Sequence, residues 1–559
     1  MMTWMMRGHL PLLMCGLLST SCAGFLKPKP PPPATVKVAT VHFEPQEGQV
    51  DQNRQRLVQL TEEAASHGAQ IIVHTEMATS GYSFFSREEI SKVAEPIPGP
   101  STQALGAVAK HYGVYVAFGL PEYEAKTNLY YNAVALIGPD GKVLGVYRKR
   151  NNLLEASYNA EVFAPIPTFD TPYGRLSIVI CADMFYSQFP RLAAIAGTQI
   201  LLAPANVGIT TDFVRVRTFE NDFSMIVANR FGKGGQGSKK VFFNQDSFTI
   251  PSPFPYDFSY DSRSIIMTST GQVLADLSQP QIAIGYGELP VREQRVFPVV
   301  RRPELYSLIG QDTLESYTFS QFGLPPVGIF AAAAVDPGSS ATPWDAALAS
   351  ANSALAAAKQ AGYTLRLIVY PANYFQAPDP TGLQALQAFS TQSNVDLLLH
   401  FGAAAPPESR LLTPSGQSYT YLRTHRARDE QIPLANNYWI IDRDYARVAL
   451  LQDKDMFAPE TSTVMAKLGV DVVAINADTD SSVLSPLWQS RTGDYLHIVV
   501  ANLHGKEGIY LGGYQSNPSF MEADGRVLMQ LNTQHVRSKK EPRFLDFQQM
   551  LLPCGKDNC

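Results

Sequence analysis

The tightest constraint on this chain is that part of it occurs twice. Tyr173-Gly-Arg-Leu-Ser-Ile-Val-Ile-Cys-Ala-Asp-Met-Phe185 aligns without gaps on Tyr445-Ala-Arg-Val-Ala-Leu-Leu-Gln-Asp-Lys-Asp-Met-Phe457. Tyr, Arg, Asp, Met and Phe are identical, and the apolar pattern between them is kept. The same offset of 272 residues puts Gly197 on Gly469, ahead of Ile200-Leu-Leu202 and Val472-Val-Ala474. Ile226-Val-Ala-Asn229 resembles Val499-Val-Ala-Asn502, and Thr270-Gly-Gln-Val-Leu274 resembles Asp524-Gly-Arg-Val-Leu528. These matches keep their order along the chain. They indicate a duplicated unit, with the first copy at about residues 36–300 and the second at about 326–530.

Inside the first copy, apolar runs alternate with helical stripes. Val36–His42 reads as a strand. Val50–His67 carries apolar residues at 50, 57, 60, 64 and 65, a helical spacing, and Gly68 is a natural stop. Ile71–Val73 is the next strand. A helix at 102–112 precedes a strand at Val114–Phe118. Leu129–Ile137 and Val143–Tyr147 flank Pro139-Asp-Gly141, a hairpin signal. A strand at 175–180, a helix near 188–196, a strand at 199–202, a helix at 211–222 and strands at 225–228 and 264–267 follow. In the second copy Val327–Ala334, Ala346–Ala361 and Val395–Leu399 supply the matching opening strand, helix and strand. Alternating strands and helices with inserted hairpins predict α/β layers, helices packed outside sheets.

Three reactive residue types fall at the ends of first-copy strands, in the order Glu76, Lys149, Cys181. Taken singly, each has a bland reading: a surface carboxylate, a solvated basic cluster, a buried structural thiol. Together, they fit acyl transfer. An amide carbonyl is a poor electrophile, so a thiolate attacks it better than water. A nearby ammonium lowers a thiol pKa and stabilises the oxyanion that forms on attack. A carboxylate takes the thiol proton, hands it to the leaving amine and later activates water.

The order and wording of these sites resemble the carbon–nitrogen hydrolase (nitrilase) superfamily. The resemblance rests on Glu76…Gly81-Tyr82, Tyr147-Arg148-Lys149 and Cys181-Ala-Asp183. Pro204-Ala-Asn206, Arg217…Glu220-Asn221 leading to Ala228-Asn229-Arg230, and Ser264-Ile-Ile…Gly271-Gln-Val-Leu274 support it. It implies an αββα sandwich. It also implies Cys181 as nucleophile, Glu76 as general base and acid, and Lys149 as oxyanion stabiliser. Many relatives carry a second glutamate after the lysine; Glu155 is the nearest here and Glu161 the next. The Cys-Trp-Glu of nitrilases proper is absent, which implies amides rather than nitriles. Thr171-Pro-Tyr-Gly174-Arg with Cys-X-Asp resembles the biotinidase and vanin branch, and also exported bacterial amidases. No cofactor is implied, and the substrate is a small-molecule amide.

None of this chemistry survives in the second copy. Cys181 falls on Asp453 and Glu76 on Ala372. Lys149 falls on Thr424, with a one-residue uncertainty that includes Arg423 and His425. The expectation is therefore a degenerate αββα copy that serves as an intramolecular partner, an internal pseudo-dimer, with 301–325 as linker and 531–559 as tail.

The remaining features bound location and partners. Residues 1–23 read as an export signal with a short apolar core at Leu10–Leu18. Ser19-Thr-Ser-Cys22 resembles a lipobox with Cys22 as the lipidated residue; ordinary cleavage after Ala23 is the other reading. Residues 24–35 carry Lys27-Pro-Lys-Pro-Pro-Pro-Pro33, a stiff tether suited to a membrane-anchored body. Cys554 and Cys559 are spaced for a small disulfide in an oxidising compartment. No Asn-X-Ser/Thr sequon with X other than Pro occurs, which with export fits a bacterial periplasm or envelope. The net charge of -5, without a long basic run, excludes a nucleic-acid binder, and the ten His residues show no metal-ligand spacing. Three functions follow: an exported thiol amidase, an amide-forming acyltransferase using the same acyl-enzyme, and an inactive envelope scaffold. Aromatic residues Phe84, Phe85, Phe254, Tyr256 and Tyr260 suggest an aromatic-walled pocket mouth.

Overall fold

Each short run of β-branched and aliphatic residues in 35–290 becomes a strand, and each amphipathic stretch a helix on the outside of a sheet. The structure, a computed structural model, describes residues 33–310 and 324–552, apart from 83, 85, 152–157, 160, 162–163, 233–237, 244–245, 252–261, 292–295, 506–507, 513–518, 521–524, 538 and 540–549. The expected signal, Cys22, most of the tether, Glu155, Phe85, Phe254, Tyr256, Tyr260, Cys554 and Cys559 lie outside the described residues.

The first half holds β1 (Thr35–His42), β2 (Ile71–Val73), β3 (Tyr115–Glu124), β4 (Leu129–Ile137), β5 (Val143–Arg148), β6 (Thr168–Thr171), β7 (Gly174–Ile178), β8 (Ile200–Ala205), β9 (Ser224–Asn229), β10 (Ser238–Phe243), β11 (Asp246–Pro251), β12 (Ser264–Met267), β13 (Val273–Leu277) and β14 (Ala283–Pro290). They form two six-stranded sheets, β14-β1-β2-β3-β4-β5 and β13-β12-β9-β8-β7-β6, with β10–β11 a separate hairpin. The sheets lie face to face. Thr40 Oγ1 donates to Val227 O across the gap at 2.7 Å, and Thr75 Oγ1 to Ala205 O at 2.6 Å. Helices Val50–Ser66 and Pro100–Tyr112 bury Leu57, Leu60, Ala64, Leu105 and Ala109 against Ile72, Val116 and Phe118 of the first sheet. Gln188–Ile195 and Thr211–Asn221 cover the second sheet, giving the layers of an αββα sandwich.

The second half repeats this plan. It holds β15 (Ile329–Val335), β16 (Leu365–Val369), β17 (Asp396–Phe401), β18 (Glu408–Leu412), β19 (Ser418–Tyr421), β20 (Trp439–Asp442), β21 (Arg447–Gln452), β22 (Val472–Ala477), β23 (His497–Asn502), β24 (Gly508–Tyr510), β25 (Ser519–Phe520) and β26 (Arg526–Asn532). Its sheets run β26-β15-β16-β17-β18-β19 and β25-β24-β23-β22-β21-β20. Every neighbour pair has the same parallel or antiparallel sense as its first-half counterpart. The β7–β8 and β21–β22 pairs share one register: Leu176 faces Ile200 as Val448 faces Val472. The β10–β11 hairpin, which the sequence did not disclose, stands between β9 and β12, where the second half has only a short connection from Asn502 to Gly508.

The two halves meet through the helices on their second sheets, about a pseudo-twofold axis. Gln188 Nε2 donates to Thr463 Oγ1 at 2.9 Å, and in the mirrored contact Arg191 pairs with Glu460 at 3.3 Å. At the repeat offset Gln188 corresponds to Glu460 and Arg191 to Thr463, so residue i meets j in one half while j meets i in the other. Arg217 and Arg491 play the same local part: their Nε atoms donate to Met184 O and Met456 O. Both guanidiniums then converge on Glu220, each at 2.7 Å. The segment expected as a linker is not a loose tether in its first part. Tyr306 and Ile309 are buried, Tyr306 bonds His425 at 2.7 Å, and Arg301 pairs with Glu460 at 2.8 Å.

Candidate active site

Three strand ends of the first half converge between its sheets. β2 ends at Val73, and the chain bends at Met77, whose φ is 51°, carrying Glu76 inward. This bend lies against β3 at Gly119. A Cβ there would sit 2.7 Å from Glu76 Cα and 2.5 Å from Met77 N, so only glycine admits the approach. Lys149 follows β5 directly. Cys181 opens a 3-10 turn after β7 with φ 50°, a left-handed conformation that costs a non-glycine residue energy and is typical of functional turns.

The side chains are nearly sealed from solvent: Glu76 is 0%, Lys149 1% and Cys181 3% exposed. Lys149 Nζ donates to Glu76 Oε1 at 3.0 Å and to Tyr82 Oη at 2.9 Å. Asn132 Nδ2 donates to the same Glu76 oxygen at 2.7 Å. One carboxylate oxygen is thus fixed by two donors. The other, Oε2, is buried with no such donor settled on it among the described residues, and the Cys181 thiol lies beside the same carboxyl group. Burial pushes the thiol well above its ordinary pKa, and the Glu76 carboxylate adds to the rise. The Lys149 ammonium and the backbone N–H of Asn206 pull the other way without prevailing. This corrects the expectation that the ammonium sets the thiol's ionisation. That direction favours the neutral S–H over a preformed thiolate, beside a Glu76 carboxyl placed to take its proton.

Asp183, two residues after the cysteine, has a structural duty. It accepts from Tyr147 Oη at 2.7 Å and from the backbone N–H of Asn151 at 2.8 Å, tying the chain after Lys149 to the cysteine turn. Asp455 does the same in the second half, accepting from Tyr421 Oη at 2.7 Å and Thr424 N at 2.8 Å. The matched tyrosines settle the register there: Lys149 corresponds to Arg423, not Thr424. Ala372 does stand at the Glu76 position, since Asn373 after it repeats the left-handed φ of Met77, at 58°. Asp453 opens the turn in place of Cys181.

Glu161, the alternative second glutamate, pairs with Arg148 at 3.4 Å, beside Glu122 and Glu124 on the same guanidinium. Phe84 packs, half-buried, on a cluster with Met77, Tyr82, Ile90 and Tyr130. Sequence reasoning passed over Asn132 and Gly119. Both had a signal: a lone amide inside the apolar run Leu129–Ile137, and a glycine inside a strand, which marks close backbone approach.

Comparison with known proteins places a family on this half. The carbon–nitrogen hydrolase family model matches residues 37–296. An omega-amidase of Xenopus laevis is 34% identical over 260 residues, spanning 44% of this chain and 89% of that protein. A nitrilase of Pyrococcus abyssi is 28% identical over 271 residues, 47% of this chain and 93% of that protein. Among solved structures, an amidase from Nesterenkonia sp. aligns at 18% identity and a TM-score of 0.37, over 46% of this chain and 92% of its own.

Proposed function

This chain belongs to the carbon–nitrogen hydrolase family, and from that premise we propose that it is a thiol-dependent amidase acting on small linear amides. The observation that carries the proposal is the sealed Glu76–Lys149–Cys181 cluster, with one glutamate oxygen pinned and the other left for a proton. Sγ of Cys181 attacks the amide carbonyl carbon as its proton passes to Glu76. The carbonyl oxygen gains the charge and is held by the Lys149 ammonium, an interaction worth about 2.7–4 kcal/mol for one such donor. Glu76 then delivers the proton to the leaving nitrogen, the C–N bond breaks, and a thioester remains on Cys181. Glu76 next takes a proton from water, whose oxygen adds to the thioester carbon. The acid departs and the thiol is restored. Tyr82 and Asn132 position the lysine and the glutamate in this scheme.

The second half takes the part of a built-in partner. The mirrored Gln188–Thr463 and Arg191–Glu460 contacts and the shared Glu220 support this role. The wording of residues 1–35 supports export and anchorage at a bacterial envelope, and Thr171–Arg175 with the second half supports a place near the biotinidase and vanin branch or exported bacterial amidases. The test is a panel of short aliphatic amides, biotinyl amides, pantetheine and N-acyl amino acids with Cys181→Ser as control. Equal turnover by the two proteins would sink the mechanism. Hydroxylamine added to the assay distinguishes hydrolysis from acyl transfer by the product it captures.

A further inference from the structure

One buried polar side chain at this site has no hydrogen-bond partner among the described residues. Asn206 follows β8, is fully buried, and points its backbone N–H at the Cys181 thiol. Neither Nδ2 nor Oδ1 of its carboxamide has a hydrogen-bond partner among the described residues. Buried amides are almost always paired, because an orphan forfeits its bonds to water.

The second half supplies an internal control. Its residue at this position is Asp478, in the same register after β22. The Asp478 backbone N–H lies 3.3 Å from Asp453 Oδ2, as that of Asn206 faces Cys181. There the side chain is satisfied within the protein: Asn373, at the Met77 position, donates its Nδ2 to the Asp478 carboxylate. In the first half Met77 is apolar and offers no such bond. The copy without the Glu–Lys–Cys set closes this contact internally, and the copy that has the set leaves it open. The register also places the open carboxamide beside the bend carrying Glu76, the side on which the leaving nitrogen receives its proton.

We propose that the Asn206 carboxamide is a substrate contact, its Oδ1 accepting the N–H of the scissile amide, so that the site selects amides bearing an N–H over esters of the same acid. This deepens the amidase reading and rests on it.

The test needs no knowledge of the natural substrate. Cys181 is alkylated with iodoacetamide and with methyl iodoacetate, which lacks the N–H, each rate being normalised to glutathione. The ratio of the two rates cancels any change in thiol ionisation. Asn206→Leu should lower that ratio about tenfold, the loss of roughly one hydrogen bond. Asn206→Ala gives the same reading should leucine overfill the site, and Asn206→Asp, which keeps the acceptor oxygen, should hold the ratio. Equal changes with both reagents, or an unchanged ratio in Asn206→Leu and Asn206→Ala, overturn the substrate contact while leaving the nucleophile standing. Wild type in which neither reagent modifies Cys181 contradicts the nucleophile itself, and this contact with it.

Discussion

Replacing Glu220 by Gln tests whether the two halves are held by the charges at their axis. Glu220 is fully buried and accepts Arg217 Nη1 through one oxygen and Arg491 Nη1 through the other, both at 2.7 Å. Arg217 belongs to its own half and Arg491 to the second. Burial raises the cost of all three charges, but the two guanidiniums outweigh it and hold the Glu220 carboxyl below the usual range. Glutamine keeps the shape and one acceptor but removes the carboxylate that both buried cations share, leaving Arg217 only the attraction of Asp494. Removing one partner of a buried pair costs about 3–5 kcal/mol. A double-mutant cycle with Arg491→Met should return a coupling of about 1.5–3 kcal/mol, the value of a charged hydrogen bond. The assay is urea unfolding followed by near-ultraviolet circular dichroism at pH 7. The contribution has a pH signature. A carboxyl depressed by folding stabilises above its unfolded pKa of about 4.3, and this stability is lost as pH falls through the folded value. A loss under about 1 kcal/mol for Glu220→Gln, or strict additivity with Arg491→Met, would refute the reasoning.

Three further outcomes follow from the site. Because burial and Glu76 raise the Cys181 thiol, its alkylation by iodoacetamide should climb with pH beyond the range of a free cysteine, about 8.5, and Glu76→Gln should speed labelling at pH 8 while abolishing amide turnover; a plateau already reached at pH 7 would contradict this. Lys149→Met should lower kcat/KM by about 100- to 1,000-fold with Cys181 still present, and steady-state kinetics that change only KM would exclude it as oxyanion stabiliser. Gly119→Ala places a methyl 2.7 Å from Glu76 Cα, so it should cost about 1–3 kcal/mol in thermal or chemical unfolding and depress turnover by moving Glu76; wild-type activity would show that the bend yields freely.

Much of this was legible in the chain because strand ends and repeats leave local marks. Cys181 closes an apolar run, and its echo at Asp453 separated fold from chemistry: Asp183 and Asp455 do identical structural work, whereas the cysteine has no counterpart. The repeat also told that the layered unit occurs twice, but not the order of strands in its sheets, and its match of Val273-Leu274 to Val527-Leu528 joins β13 to β26, strands that lie in non-equivalent sheets. What stayed hidden depends on contacts between distant residues. Asn132 on β4 reaches Glu76 after β2 across the intervening strand β3. The convergence of Arg217 and Arg491 on Glu220 depends on how the halves dock, which no local periodicity encodes. The thiol's rise came from burial and the Glu76 carboxylate outweighing the Lys149 ammonium and the Asn206 N–H, a balance set by packing rather than by residue type. Lys149 falls on Arg423 rather than Thr424 because β5 carries a one-residue bulge that β19 lacks, and the paired tyrosines Tyr147 and Tyr421 fix the register.

The central claim is that Cys181 carries the acyl group. The most direct measurement is intact-mass and peptide mapping of the protein quenched in acid during turnover of a short aliphatic amide. The account predicts an acyl adduct on the peptide bearing Cys181, released by hydroxylamine and absent from Cys181→Ser. Turnover in which Cys181 never gains the acyl mass, or an adduct that persists in Cys181→Ser, would contradict it.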